Sequence, residues 1–344
     1  MSDDRAEYDA IRAAAEATQT WREAATAGQA VSAALSAAGH LDQRTLDGLR
    51  VAETVVFSGA GSSYYLAQAM AWAWRELVGR RAVAVPLSEL LLRPRFALGP
   101  TDAACAFVII SRSGTTSEAV AAAHWARSTG AATLGVTCRA ASPLAQALDE
   151  ALVSPDGDEG AIVMTRSFTS MLAGLLGVAV ALSGDAAVQR DLGALPALFD
   201  AQDGELTSAW RLATQSWSRV VVLGGGARLG IAREACLKII ETSQLDASAY
   251  EPLEFRHGPI SMCEPGVLVI GLLGDSAAED ERRVLEECAA LGATIWAPDP
   301  GTSLHPLLRL PLLMPPLQAL ALGIAVRRGR DPDRPRHLTQ VVLL

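Results

Sequence analysis

The chain has 344 residues, half of them hydrophobic, and its 38 acidic against 29 basic side chains give a formal net charge of −9. Such an acidic balance does not suit general binding to nucleic acid, which calls for a basic surface. It does not exclude an anionic ligand, because a local Gly/Ser loop can hold a phosphate whatever the overall charge. The length suits two domains of ordinary size, each with a substantial core.

The N-terminus, MSDDRAEYDAIRAAAEATQTW, is acidic and lacks an apolar stretch, so it does not read as a signal peptide. A helical segment is expected over about 4–37. The β-branched run, Gly-rich turn and helical pattern of VVFSGAGSSYYLAQAMAWAW, from Val55, predict the opening strand–turn–helix unit of a parallel α/β domain. A second apolar strand, ACAFVIIS, follows, then a helix over SEAVAAAHWARSTG and a strand at ATLGVTC. MLAGLLGVAVAL, 171–182, is the best membrane candidate; it is too short to span, is flanked by Arg166 and Asp185, and reads as a buried helix. A polar region, 184–215, is expected to hold a linking helix.

The pattern then repeats. VVVLGGGARLGIAREACLKI starts at Val220, followed by the strand GVLVIGLL, the helix AEDERRVLEECAALG and the strand ATIWAP. The fold class is therefore expected to be α/β, with two tandem doubly wound parallel-sheet domains. The expected boundaries are a helical segment at 1–37, a first domain at 38–185, a linker at 186–215, a second domain at 216–325 and a tail at 326–344. That tail reads as turn-rich and then extended. Five widely spaced cysteines, Cys105, Cys138, Cys236, Cys263 and Cys288, form no CxxC and read as reduced core residues. With the absence of a leader pattern, they point to a cytoplasmic protein.

The halves differ in their loops. The first turn carries Ser62 and Ser63, and the first half's second strand ends in SRSGTTSE, with Ser111, Ser113, Thr115 and Thr116; the second half reads GGGAR and GLLGDSAAE there. Hydroxyls, backbone N–H groups and a helix N-terminus at adjacent strand ends can make an anion cradle, although each such residue alone could simply cap a helix. A dinucleotide fingerprint fails in both halves, since Tyr64 follows Gly59 and Gly61, and Leu229 follows Gly224 and Gly226, at the place of the third glycine. No Walker loop and no HxH, HxxxH or HExxH occurs. No metal or redox cofactor is expected.

Lys238, in ACLKIIE, is the only lysine of the chain, and Glu241 lies three residues on, on the same helical face. The pair is either a surface ion pair worth a few tenths of a kcal/mol or a chemical pair. The apolar neighbours Cys236, Leu237, Ile239 and Ile240, and the use of arginine everywhere else, favour the second. Downstream, Arg256, His257, Gly258 and Pro259 form a polar, sharply turning element, so a carboxylate, an ammonium and an imidazole lie within twenty residues as a possible proton-transfer set.

These motifs, with MTRSFTSML (164–172) and EACLKIIETSQLDASAYEPLEFRHGP, resemble the tandem sugar isomerase (SIS) domain family over about residues 30–344. That family includes the isomerase half of glucosamine-6-phosphate synthase, amino-sugar-phosphate deaminase/isomerases and fructosamine-phosphate deglycases. The resemblance implies that Ser62, Ser63, Ser111, Ser113 and Thr116 bind phosphate, that Glu241 moves a proton between C1 and C2, that Lys238 assists it, that His257 serves ring opening from a neighbouring subunit of a homodimer, and that Arg336 is a tail arginine of the site. Where the synthase pattern has an imine-forming tail lysine, this chain has Gln340. If an imine is used at all, Lys238 is the one side chain that could form it. No glutaminase domain precedes these motifs here, so glutamine-dependent synthesis is not expected. The expected reaction converts an aminosugar 6-phosphate to a ketose 6-phosphate and ammonia, with a deglycase, a plain isomerase or a non-catalytic sugar-phosphate sensor as alternatives. The expected partners are the sugar phosphate and a second copy of the chain, with neither nucleic acid nor a membrane.

Overall fold

Both β-branched runs form strands that end on the Gly-rich turns. The computed structural model describes residues 2–99 and 105–340. Helices α1 (Ser2–Glu16), α2 (Gln19–Ala24), α3 (Ala27–Ala38) and α4 (Gln43–Val51) lead into β1 (Thr54–Gly59). Next come α5 (Ser62–Val78), β2 (Arg81–Pro86), α6 (Leu87–Leu92), α7 (Pro94–Leu98), β3 (Cys105–Ile110), α8 (Ser117–Ser128), β4 (Ala132–Thr137), α9 (Pro143–Ala147) and β5 (Glu150–Val153). Helices α10 (Arg166–Ser183), α11 (Ala186–Ala194) and α12 (Asp203–Ala213) precede the second series. It consists of β6 (Arg219–Gly224), α13 (Ala227–Ser243), β7 (Ala247–Tyr250), α14 (Pro252–Phe255), β8 (Val267–Leu272), α15 (Ala278–Ala290), β9 (Thr294–Trp296) and α16 (Met314–Arg327).

Two parallel sheets result, ordered β2-β1-β3-β4-β5 and β7-β6-β8-β9. The central strands β3 and β8 are buried along their whole length, as parallel strands covered by helices on both faces should be. The turn after β1 shows why glycine is needed. A Cβ on Gly59 would lie 2.4 Å from the carbonyl carbon of Ser63, and Gly61 sits at φ +55°. The second repeat copies this geometry: a Cβ on Gly224 would meet the Arg228 carbonyl oxygen at 2.7 Å, and Gly226 has φ +56°. Only glycine lets each helix start directly on the end of its strand.

The sequence pattern predicts three strands in each half, whereas the sheets have five and four among the described residues. The missed strands, β2 (RAVAVP), β5 (EALV) and β7 (ASAY), all lie at sheet edges. An edge strand pairs on one side only and carries a weak hydrophobic pattern.

Two compact units emerge, and neither is one continuous stretch. One comprises Thr26–Glu159, Arg166–Ala197 and Thr339–Leu344 and holds the first sheet; the other comprises Met1–Ala25, Gly160–Thr165 and Leu198–Leu338 and holds the second. In the first, α10 packs on α3 and α5. In the second, α16 packs on α13, α12 and α1. The Glu23 carboxylate there accepts the N–H groups of Gly160 (2.8 Å) and Ala161 (2.9 Å), and the Gln318 amide donates to the Thr165 carbonyl at 3.2 Å. Asp333, in the tail, accepts the N–H groups of Gln19 and Thr20 (both 2.8 Å) and the Thr20 hydroxyl (2.6 Å), which fixes the tail to the start of α2. The expected extended end of the tail, 341–344, lies outside the described residues.

The 171–182 run proves to be part of α10, whose 18 residues suffice by length and composition to cross a membrane; the stretch Pro306–Arg327, ending in α16, also passes that test. Length therefore does not set the first aside, contrary to the sequence reading. Burial does, since most residues of both stretches are packed inside the protein. The five cysteines are free and buried.

Candidate functional site

In the first unit the chain leaves β1 toward β2 on one side of the sheet and leaves β3 toward β4 on the other. This reversal of direction marks a switch point at the carboxyl ends of β1 and β3, the place where open α/β sheets bind ligands. Both hydroxyl-rich loops lie there. Ser62 and Ser63 are the first two residues of α5 and are buried. Gly61 precedes them as N-cap and offers no capping side chain. Ser111 and Ser113 are buried in the turn after β3, and the Ser111 hydroxyl lies 3.4 Å from that of Thr116. Thr116 holds the N-cap position of α8 yet makes no capping bond. Ser113 Oγ instead accepts the Thr115 N–H (3.2 Å) and hydroxyl (3.0 Å). Gly114, at φ +62°, turns this loop against Ser142, whose Oγ would be 2.2 Å from any added Cβ. Neither loop thus uses a side chain as a helix cap, and the set has the chemistry of an anion cradle.

Sequence reasoning missed what braces this cradle. Arg112, between the two serines, is 6 % exposed and lies 3.6 Å from the fully buried carboxylate of Glu159. Arg112 also donates to the carbonyl of Gln340 at 3.2 Å, and the Gln340 amide donates to the carbonyl of Glu159 at 3.3 Å. The Ser167 hydroxyl donates to the Glu159 carboxylate. The residue in place of the family's tail lysine is therefore tied to the hydroxyl loop. A charged side chain inside an otherwise Ser/Thr/Gly loop was the available signal for Arg112; nothing in the sequence marks Glu159.

In the second unit, α13 carries the lone lysine. Lys238 Nζ lies 2.5 Å from Glu241 Oε2 and 3.3 Å from Glu234 Oε1, with side-chain exposures of 2 % for Lys238, 0 % for Glu234 and 19 % for Glu241. The surface ion-pair alternative is therefore excluded for Lys238. Burial, the strongest influence on its pKa, acts to lower it, but the charges and hydrogen bonds of Glu234 and Glu241 outweigh burial, and the net shift is upward. An amine held as ammonium is a poor imine former, so this geometry withdraws Lys238 from that role. Glu234 was missed in the sequence although its signal was there: glutamate four residues before lysine is a favoured helical pair.

His257 follows α14 and is exposed, its backbone N–H donating to the Glu254 carbonyl at 3.0 Å. Its neighbour Arg256 pairs with Glu287 of α15 at 2.7 Å, and Gly258 takes φ +134° to turn the chain. Arg336 is also exposed, 3.4 Å from the ring of His337. Among the described residues no hydrogen bond or ion pair joins His257 or Arg336 to Glu241, and no cluster of three metal-ligating side chains occurs.

Two doubly wound parallel sheets, one with a hydroxyl-rich switch point and the other with a buried Glu–Lys–Glu set, define a tandem α/β class of protein. The profile of the SIS domain matches residues 48–181 and 214–297, more than half of the chain, and the chain belongs to the SIS domain family. It is 32 % identical over 319 residues to a glutamine–fructose-6-phosphate aminotransferase (isomerizing) of Pyrobaculum aerophilum, covering 86 % of this chain and 52 % of that protein. The chain spans about half the length of the curated relatives it matches. The crystal structure of a glucosamine-6-phosphate deaminase of Thermotoga maritima is 28 % identical, with a TM-score of 0.79 over 95 % of this chain and 100 % of that one. A tagatose-6-phosphate ketose/aldose isomerase of Escherichia coli, 24 % identical with a TM-score of 0.78 over 93 % of this chain and 95 % of that one, shares the fold.

Proposed function

We propose that this chain is a phosphosugar enzyme that converts an aminosugar 6-phosphate and water into a ketose 6-phosphate and ammonia. The observation that carries this reading is the Lys238 ammonium, fixed in the core between the buried Glu234 and the partly exposed Glu241. One carboxylate of the set thus reaches solvent while its charge and orientation are held from within. The glucosamine-6-phosphate deaminase, matched over its whole length, supports the choice of reaction.

In this reading the hydroxyls of Ser62, Ser63, Ser111, Ser113 and Thr116 hold the phosphate, with Arg336 as a further anion contact. His257 assists ring opening, which frees the C1 aldehyde; its exposure suits a contribution to the site of a second copy in a homodimer. Glu241 removes the C2 proton to give an enaminol and delivers a proton to C1, leaving a C1 alcohol and a C2 imine. Water adds to C2 and ammonia leaves, so the atoms balance without an oxidant or reductant. Lys238, only 2 % exposed, acts through Glu241 and is a positioning residue. Incubating the protein with the 6-phosphates of glucosamine, galactosamine and their N-acetyl forms, and measuring ammonia and ketose together, tests this. Equal ammonia and ketose from an unacetylated substrate is the expected result. Ketose–aldose interconversion without ammonia would overturn deamination in favour of plain isomerisation.

A further inference from the structure

The second unit has its own switch point, between β6 and β8, and a crevice of 370 Å³ opens at the carboxyl ends of its strands. That volume falls within the roughly 300–1,000 Å³ usual for small-molecule sites. Its walls come from the N-terminal ends of α13 and α15, the segments after β8 and β9, and the helical turn Pro306–Leu313. The two repeats can be compared position by position through strand register. Gly224 pairs with Leu272, and extending the Ser58–Ile109 pairing by one residue sets Gly59 against Ile110. Arg228 therefore stands where the first repeat has Ser63, and Asp275 where it has Ser113. The two hydroxyl positions have become an arginine and an aspartate, and both line the crevice.

Arg282 and Arg309 also line it, as does Asp299, giving three arginines to two aspartates in a chain of net charge −9. Arg309 is held by Asp275 at 3.1 Å and by the Leu304 carbonyl at 2.7 Å. Arg282 has no carboxylate within ion-pair distance among the described residues. The backbone amide of Gly274, which lines the crevice, donates to the buried carboxylate of Glu281. The cationic groups that an incoming anion would meet are the guanidinium groups of these arginines. Pro298, Pro300 and Pro306 stiffen the opposite wall.

We infer that this crevice is a second binding site, separate from the hydroxyl cradle, for a small phosphorylated polyol. Guanidinium groups of Arg228 and Arg282 take the phosphate, and the carboxylates of Asp275 and Asp299 accept hydroxyl groups. The site does not depend on the reaction proposed above.

Titration calorimetry of the whole chain with sorbitol 6-phosphate tests it, since this probe carries phosphate and hydroxyls but no carbonyl to be turned over. Two equivalents per chain are expected. Arg282→Glu, an exposed change that breaks no ion pair, should weaken one equivalent by about tenfold or more, and Ser113→Ala with Thr116→Val should weaken the other. A single equivalent lost only with Arg282→Glu would support this site and count against the cradle. A single equivalent untouched by Arg282→Glu, or no binding, would overturn the inference. Inorganic phosphate as a second probe separates the ligand sources: binding at the arginine site at least as tight as that of sorbitol 6-phosphate would overturn the polyol assignment.

Discussion

Replacing Lys238 by methionine keeps an unbranched side chain and removes the charge. Glu234, 0 % exposed, would then be left without its ammonium. Losing one partner of a buried pair costs about 3–5 kcal/mol, because the remaining charge stays desolvated. Glu241, at 19 % exposure, can turn to water and adds little to that cost. For a unit of this size each kcal/mol corresponds to roughly 2–4 °C, so a fall in Tm on the order of 10 °C is expected. The assay is thermal unfolding at pH 7.5 of the wild type, Lys238→Met, Glu234→Leu and the double variant. The double variant, which removes both charges of the buried Lys238–Glu234 pair, should recover most of the loss. A fall of under about 1 kcal/mol in Lys238→Met, as an exposed pair would give, or a double variant as unstable as the two single losses added, would refute the buried-triad reasoning.

The same lysine sets an alkaline limit. Its pKa in the folded chain is raised above the ordinary 10.5, so its stabilising contribution is complete below that pH and is lost as pH rises through the folded value. The Tm gap between the wild type and Lys238→Met should therefore stay constant up to about pH 10.5 and narrow as the pH rises further, and a gap that narrows already below pH 10.5 would contradict the upward shift. Gly114→Ala should cost about 1–3 kcal/mol and weaken sugar-phosphate binding at the cradle, since φ +62° and the 2.2 Å approach to Ser142 both oppose a Cβ. Gly130→Ala, at φ +79° with open space around it, should cost only the backbone part and leave binding unchanged; equal effects of both on binding would contradict this role for the loop.

Much of the fold was legible because the chain states it twice. The runs from Val55 and Val220 share a Gly-rich turn, and the structure gives both turns the same backbone, with Gly61 and Gly226 at φ +55° and +56°. The hydroxyl loops were legible because Ser and Thr cluster after two strands that prove to be neighbours. Lys238 drew attention by being alone. What escaped was non-local or weakly patterned. Arg112 and Glu159 meet from 47 positions apart, and no local periodicity encodes such a pairing. Strands β2, β5 and β7 sit at edges, where burial asks little of the sequence. The division of the N-terminal helices at Ala25 depends on contacts such as those of Asp333 and Glu23, made by residues far along the chain.

Glu241→Gln tests the central proposal most directly, with turnover of the aminosugar 6-phosphate and binding of sorbitol 6-phosphate measured on the same preparation. Loss of a positioned general base costs about 10²–10⁴ in rate. The expected result is a fall of that size in ammonia and ketose formation with probe affinity changed by no more than a few-fold. Turnover unaffected by Glu241→Gln would contradict the assignment of proton transfer to this helix.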